Sequence, residues 1–220
     1  MLLDEDEDGC PRIKVILVGE AGVGKTNLIN VTMEKDFNDN ERSSIAASFS
    51  MKKMEVDEKI YNLYLWDTMG QEKMKALTKI FFKNAKIVIL VYDITKKKTF
   101  LELENWLKDV KELLGNNIVI GICGNKSDLF MEEEVSDEDV KGFADKIKAK
   151  YALTSAKSDK YGFCKFINDL LVEFIDLYIK KPDIDKKKNK EEKKEIEQNE
   201  SQSIILKKPK KEKKKKKSKC

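Results

Sequence analysis

The residues Gly19-Glu20-Ala21-Gly22-Val23-Gly24-Lys25-Thr26 have the types and the spacing needed to hold a polyphosphate. They follow the pattern G-x-x-x-x-G-K-[ST], the P-loop. Glycines let the backbone fold into a nest whose N–H groups point at phosphate oxygens. The N-terminus of a following helix adds orphan donors and a partial positive charge. Lys25 is placed to reach β- and γ-phosphates, and the Thr26 hydroxyl to ligate Mg²⁺. Context decides whether such a pattern is more than a glycine-rich turn. Here a β-branched apolar run, Ile13 to Val18, precedes it and a helical stretch from Lys25 comes after it. The P-loop alone names neither the base nor the reaction.

Three further stretches carry chemistry. In Asp67-Thr68-Met69-Gly70-Gln71-Glu72, an Asp at a strand end can hold Mg²⁺ directly or through water. Gly70 has no side chain, so its N–H can approach a γ-phosphate closely. Gln71 carries an acceptor and a donor on one amide and could orient a water, although alone it reads equally as a solvated residue at a helix start. In Asn125-Lys126-Ser127-Asp128, the Asp128 carboxylate can accept two hydrogen bonds from the N1–H and N2–H₂ edge of guanine, a donor pair adenine lacks. The Lys126 stem can lie along the base face. As an isolated pattern this is also an ordinary Asn/Asp turn. In Thr154-Ser155-Ala156-Lys157, a backbone N–H could meet the guanine carbonyl, and the bland alternative is a strand-to-helix turn.

These stretches need elements to position them. Arg12 to Val18, Ile87 to Val91 and Ile118 to Cys123 read as buried strands, and Tyr151 to Thr154 as a short one. The stretches 49–56 and 61–66 alternate, with Asp57-Glu58 as the turn between them. Helical spacing is visible from Lys25 to about Lys35, after a turn through Thr68-Met69-Gly70 to about Lys83, from Lys98 to Leu114, from Ser136 (N-cap, with Asp139 at N3), and from Tyr161 to Ile179. Strands therefore alternate with helices apart from one hairpin. The expected fold is α/β, a three-layer P-loop NTPase sandwich with a six-stranded, mostly parallel sheet flanked by helices. Every candidate site residue lies just after a strand, where ligands sit in such sheets.

Composition sets the outer bounds. The expected organisation is an acidic, disordered segment at 1–11, one domain at 12–180, and a disordered Lys-rich tail at 181–220. The 220-residue chain has a net charge of +4. Residues 181–220 hold 17 Lys and 8 acids, a net of +9, so residues 1–180 carry 4 − 9 = −5. The basic balance belongs to the tail. Cys10, Cys123, Cys164 and Cys220 lack metal-type spacing and read as free thiols of an intracellular protein. No signal peptide precedes the acidic run at Asp4, no apolar run approaches ~20 residues, and Leu2 excludes N-myristoylation.

The four motifs, in this order and at these separations, resemble the Ras-like small GTPases, and among them the Rab family most. Trp66-Asp67-Thr68-Met69-Gly70-Gln71-Glu72 is similar to W-D-T-A-G-Q-E, and Val91-Tyr92-Asp93-Ile94-Thr95 with Thr99-Phe100 and Trp106 to V-Y-D-[IV]-T…[ST]-F…W. Phe81-Phe82-Lys83-Asn84-Ala85 resembles Y-Y-R-G-A. The resemblance covers 12–180 and implies a guanine-nucleotide switch that binds GTP and GDP with Mg²⁺ and hydrolyses GTP slowly, acting in vesicle traffic. It implies phosphate contacts from Glu20, Ala21, Gly22, Val23, Gly24, Lys25, Thr26 and Gly70. It implies guanine contacts from Phe37, Asn125, Lys126, Asp128, Ser155, Ala156 and Lys157, metal ligation by Thr26, Ser44 and Asp67, and water positioning by Gln71. Ile45, Phe49, Trp66 and Phe81 would form the effector surface. The nucleotide-dependent loops would be about 38–49 and 69–82. An exchange factor, a GTPase-activating protein and effectors would bind there to a monomer.

Two departures stand out. Ser44-Ile45-Ala46-Ala47-Ser48-Phe49 replaces T-I-G-[VI]-[DE]-F, so Ser44 keeps the metal-binding hydroxyl without the Thr methyl, and Ser43 competes for that role. Met69 replaces Ala beside the γ-phosphate position. The tail ends in a tract, 207–220, of 10 Lys and one Glu that closes on Cys220. Such a run can be a solvated or nuclear-targeting segment. Behind a GTPase it is expected to address an anionic membrane, with Cys220 prenylated and the protein peripheral on the cytosolic face of an endomembrane. A specific nucleic-acid partner is not expected. The alternative function is a P-loop scaffold that binds nucleotide with little hydrolysis.

Overall fold

The computed structural model describes residues 3–37, 48–68 and 81–181. The strands are β1 (Arg12–Val18), β2 (Ser48–Val56), β3 (Lys59–Asp67), β4 (Ile87–Asp93), β5 (Val119–Asn125) and β6 (Lys150–Leu153). They form one sheet in the order β2-β3-β1-β4-β5-β6. Within it the β2–β3 hairpin is antiparallel and the other pairings are parallel, as the alternating stretches on either side of Asp57-Glu58 require. The strand β4 is buried at every residue, which explains its unbroken apolar sequence.

The helices are α1 (Lys25–Thr32), α2 (Lys97–Leu101), α3 (Leu103–Leu114), α4 (Asp137–Ile147) and α5 (Gly162–Ile175). The expected single helix from Lys98 to Leu114 is divided at Glu102 into α2 and α3. Val88, Leu90 and Tyr92 of β4 join Leu103, Leu107 and Val110 of α3 and Val140 and Phe143 of α4 in one apolar layer. On β5, a Cβ at Gly121 would meet Leu170 and Phe166 of α5, so glycine is what lets that helix approach the strand. The α4 N-cap is Ser136, whose Oγ accepts from the Asp139 N–H at 3.2 Å. The sheet thus has helices on both faces, the three-layer P-loop arrangement.

Contacts divide the chain into Met1–Tyr178 and Ile179–Cys220. The sheet and its helices belong to the first unit, and residues 179–181 are the described part of the second. The acidic N-terminus departs from expectation. Residues 3–10 are not disordered but form a docked turn, with the Gly9 N–H donating to the Asp6 carbonyl at 2.9 Å and Arg12 N–H to the Asp4 carbonyl at 2.7 Å. The Asp6 carboxylate accepts from the Arg12 guanidinium, from Asn62 Nδ2 at 2.5 Å and from the Tyr64 hydroxyl at 2.9 Å. Asp8 pairs with Lys53 at 2.8 Å. Composition alone predicts a solvated acidic run, but the β2–β3 hairpin supplies the donors that dock it.

Candidate functional site

Three parallel strands of the sheet, β3 on one side of β1 and β4 and β5 on the other, end in a buried polar residue on the same sheet edge. They are Asp67 on β3, Asp93 on β4 and Asn125 on β5, at 3%, 0% and 2% exposure. Each terminates an apolar strand and is too costly to bury without partners. Their partners build the site.

The P-loop lies between β1 and α1. Gly24 caps α1 in the left-handed region at φ 95°, and a Cβ there would run into Asn125 Nδ2. A Cβ at Gly19 would likewise strike the Val91 carbonyl. These two positions require glycine, and the loop is therefore pressed against β4 and β5. The Lys25 ammonium donates to the carbonyls of Gly19 at 2.7 Å and Glu20 at 2.9 Å. Burial pushes its pKa down to about 8, against the pull of Asp67 and Glu20. Thr26 Oγ1 donates to Asp67 Oδ2 at 2.7 Å. Two hard oxygens at the foot of a phosphate nest suit Mg²⁺, which usually takes one or two protein oxygens and completes its shell with phosphate and water. Thr68 Oγ1 donates to the Leu17 carbonyl at 2.5 Å and fixes the chain just after Asp67.

Asn125 uses both ends of its amide. Nδ2 donates to the Val23 carbonyl at 2.8 Å, and Oδ1 accepts from the Ala156 N–H at 3.2 Å. One buried side chain thus ties the phosphate loop to the turn after β6. Asp128 Oδ1 accepts from Ser155 Oγ at 2.5 Å, while Ser155 Oγ accepts from the N–H groups of Lys157 at 3.1 Å and Ser158 at 3.0 Å. The Lys157 ammonium lies over the Phe37 ring, 5.8 Å from its centroid. Phe37, Asn125, Lys126, Asp128, Ser155, Ala156 and Lys157 are therefore linked by contacts or by adjacency, beside Glu20 to Thr26.

Three contributors were missed by sequence reasoning: Asp93, Thr68 and Trp106. Asp93 Oδ2 lies 2.6 Å from Lys126 Nζ, and its Oδ1 accepts from the Thr95 N–H and hydroxyl. Burial works to raise the Asp93 pKa, but the Lys126 and Thr95 hydrogen bonds outweigh it and the carboxyl stays below its ordinary value. Lys126 itself is left-handed at φ 68°, which aims its side chain back along β4. Trp106 Nε1 donates to Glu20 Oε1 at 3.2 Å, fixing the second P-loop residue from α3. A polar residue ending a buried strand was the readable signal for Asp93. Thr68 and Trp106 were singled out only as members of the resemblance motifs, which gave no sign of their partners Leu17 and Glu20.

On the hairpin, Phe49 and Trp66 face each other in register and stack at 5.2 Å between centroids, and Trp66 meets Phe81 at 6.0 Å. The predicted aromatic group is thus contiguous, and Phe49 is 55% exposed. Ser43, Ser44, Ile45, Met69, Gly70, Gln71 and Cys220 lie outside the described residues.

The Ras family matches residues 14–174. The chain is 38% identical over 174 residues to Ras-related protein Rab-21 of Homo sapiens, covering 79% of this chain and 75% of that protein. The Bos taurus protein of the same name gives the same identity, with 76% of it covered. Ras-related protein Rab-22A of Homo sapiens is 38% identical over 161 residues, covering 73% of this chain and 80% of that protein.

Proposed function

Since the chain belongs to the Ras family, as a small GTPase of the Rab type, we propose how its own residues run the switch. It binds GTP and GDP, hydrolyses GTP and acts as a nucleotide-dependent switch in membrane traffic. Phosphates lie on the backbone nest from Glu20 to Thr26. The Lys25 ammonium turns donors from the Gly19 and Glu20 carbonyls toward the β- and γ-phosphates. The Lys126 stem, held by Asp93, covers one face of the base, and Phe37 meets its edge. The Asp128 carboxylate accepts from guanine N1–H and N2–H₂, and the Ser155 hydroxyl keeps it from rotating. The Ala156 N–H region approaches the guanine carbonyl.

Thr26, Asp67 and Ser44 would hold Mg²⁺, which when bound neutralises charge on the phosphate oxygens. Gly70 N–H contacts the γ-phosphate in the GTP state. Gln71 holds the attacking water by accepting a hydrogen bond from it. The loops at 38–49 and 69–82, together with Ile45, Phe49, Trp66 and Phe81, present the state to an exchange factor, a GTPase-activating protein and effectors. The Lys tract and a prenylated Cys220 place the protein on an anionic cytosolic membrane face.

The observation that carries the base and phosphate assignment is the Asn125 tie, which puts the P-loop and both guanine-reading turns in one frame. The test is competition against fluorescent GDP, followed by single-turnover hydrolysis. GTP should compete far better than ATP. The intrinsic rate should be on the order of 10⁻⁴ to 10⁻³ s⁻¹. Gln71→Leu should lower it about tenfold or more while keeping GTP affinity. Equal competition by ATP refutes the base assignment, and wild-type hydrolysis by Gln71→Leu refutes the water assignment.

A further inference from the structure

Beyond Asp128 the chain makes a 3-10 turn, Ser127–Glu132. Its Leu129, Phe130 and Met131 are consecutive and exposed, Phe130 at 66% and Met131 at 84%. Among the described residues no other neighbours in sequence are both large, hydrophobic and exposed. Single exposed hydrophobic residues are ordinary, whereas a contiguous run rimmed by polar groups marks an interaction surface. The turn is held in place. The Leu129 N–H donates to the Lys126 carbonyl at 2.9 Å and the Glu133 N–H to the Phe130 carbonyl at 3.3 Å. Just after it, the Glu134 N–H donates to the Ile94 carbonyl at 2.9 Å, and Val135 is buried in the core. The run is thus pinned at both ends with its apolar side chains outside.

Acids surround the turn. Residues 127–140 hold seven acids and no Lys or Arg. Three of them are committed: Asp128 to Ser155, Glu134 to the Lys97 N–H, and Asp139 to the Lys97 ammonium at 3.5 Å. Glu132, Glu133, Asp137 and Glu138 are exposed and carry no salt bridge among the described residues. The Tyr92 hydroxyl shows where two of these lie. Burial pushes its pKa up, and Glu133, Asp137 and Tyr151 add to the rise. A Cβ at Gly124 would meet both that hydroxyl and Leu153. Tyr151 and Leu153, exposed on the edge strand β6, therefore gather around the same point as two of the unpaired acids.

We propose that Leu129, Phe130 and Met131, with Glu132, Glu133 and Asp137 beside them, dock a Lys- and Arg-rich segment of a partner protein that carries apolar side chains. The proposal goes beyond the switch reading, because none of these residues belongs to the loops at 38–49 and 69–82 or to the Phe49, Trp66 and Phe81 group. Removing Phe130 and Met131 from water supplies affinity, and the flexible Met131 adapts to the side chains it meets. The unpaired acids select the sign of the partner's charge and steer its approach. The same acids repel an anionic membrane surface, which favours a basic protein segment over lipid. The turn begins at Asp128, proposed to read the base, and GDP and GTP share that base. Docking is therefore expected in both nucleotide states.

The test uses full-chain protein loaded in parallel with GDP and with a non-hydrolysable GTP analogue. The probe is a labelled peptide of Lys and Leu with Leu at i, i+3, i+4 and i+7, an amphipathic basic helix. One control peptide has Glu in place of every Lys, and a second has Ser in place of every Leu. Methyl-labelled methionine gives a local readout: the Met131 signal is identified by its loss in Met131→Leu, and Met51 on the hairpin is the reference. The Lys/Leu peptide should bind saturably, with affinities within about twofold in the two nucleotide states, and shift Met131 but not Met51. Phe130→Ser, at an exposed position, should weaken it about tenfold or more, and Glu133→Lys about fivefold. Glu112→Lys makes the same charge change on α3 and should alter binding by less than about twofold. Four results would overturn the proposal: equal binding of either control peptide, no Met131 shift, binding confined to one nucleotide state, or sedimentation with phosphatidylcholine vesicles that Phe130→Ser abolishes, which would make the turn a lipid contact. Because loading is measured first, failure of nucleotide binding is seen separately and bears on the switch reading instead.

Discussion

Replacing Asn125 by Ala should release GDP faster by a factor the structure lets us calculate. The side chain is 2% exposed and makes two hydrogen bonds, one to each half of the site. Ala removes both and leaves the Val23 carbonyl and the Ala156 N–H in a buried place without those partners. A stranded buried polar group costs roughly 1–3 kcal/mol, so the pair costs about 2–4 kcal/mol after partial relaxation. If that energy holds the closed, nucleotide-bound site, release accelerates roughly 30- to 1,000-fold. The assay is dissociation of fluorescent GDP into excess unlabelled GDP with Mg²⁺ present. Asn125→Asp should be no better than Ala, since its second oxygen would face the Val23 carbonyl and bury a charge. Gly24→Ala offers an internal check. Its Cβ would strike Asn125 Nδ2, so its cost should shrink when Asn125 is already Ala, leaving only the backbone strain at φ 95°. Release within threefold of wild type by Asn125→Ala, or strictly additive effects with Gly24→Ala, would refute the tie.

Burial holds the Lys25 pKa at about 8, and phosphate should restore its charge, so GDP binding takes up a proton. Affinity should therefore be greatest near neutrality and fall about tenfold from pH 7 to pH 9. A flat profile in GDP titrations over that range would contradict it. The Asp93 carboxyl is held below its ordinary value, so its stabilisation is present above about pH 4 and is lost as pH falls. Asp93→Asn should flatten the fall in Tm between pH 5 and pH 3 and speed GDP release by freeing Lys126, and an unchanged acid limb would count against the pair. Cys220→Ser should leave the protein largely soluble in cell fractionation, because the Lys tract alone supplies one attachment signal where two are needed. A Cys220→Ser protein that stays on membranes would point to the tract or a partner as the anchor.

The P-loop, the Asp67 and Asn125 stretches and the Thr154 turn were readable because each is contiguous and comes after a strand that announces itself. An apolar run ending in a polar residue needs only neighbouring positions to be recognised. The same rule would have reached Asp93, whose strand β4 was the plainest of all. It would not have reached Trp106, which touches Glu20 from 86 residues away and from another element. The acidic N-terminus shows the opposite failure. Composition read Asp4 to Asp8 as part of an acidic, disordered segment. It carried no information on Asn62, Tyr64 and Lys53, which lie on the hairpin and hold the segment down.

The sequence by itself determined the chemistry proposed above: a P-loop pattern, a carboxylate proposed to read guanine, two oxygens proposed for Mg²⁺ and a basic tail. It also determined the sheet, since the strand and helix periods and the single hairpin turn leave few topologies. Only the tertiary structure decided how those groups depend on one another. Strand order set the ends of β3, β4 and β5 along one sheet edge, so three buried polar groups had to find partners across the chain. Burial made those partners obligatory, and they are what bind Val23 to Asn125 to Ala156, and Asp93 to Lys126. The physical reason is that hydrophobic pattern is local and survives in one dimension. The partner of a buried polar group is chosen by proximity in three.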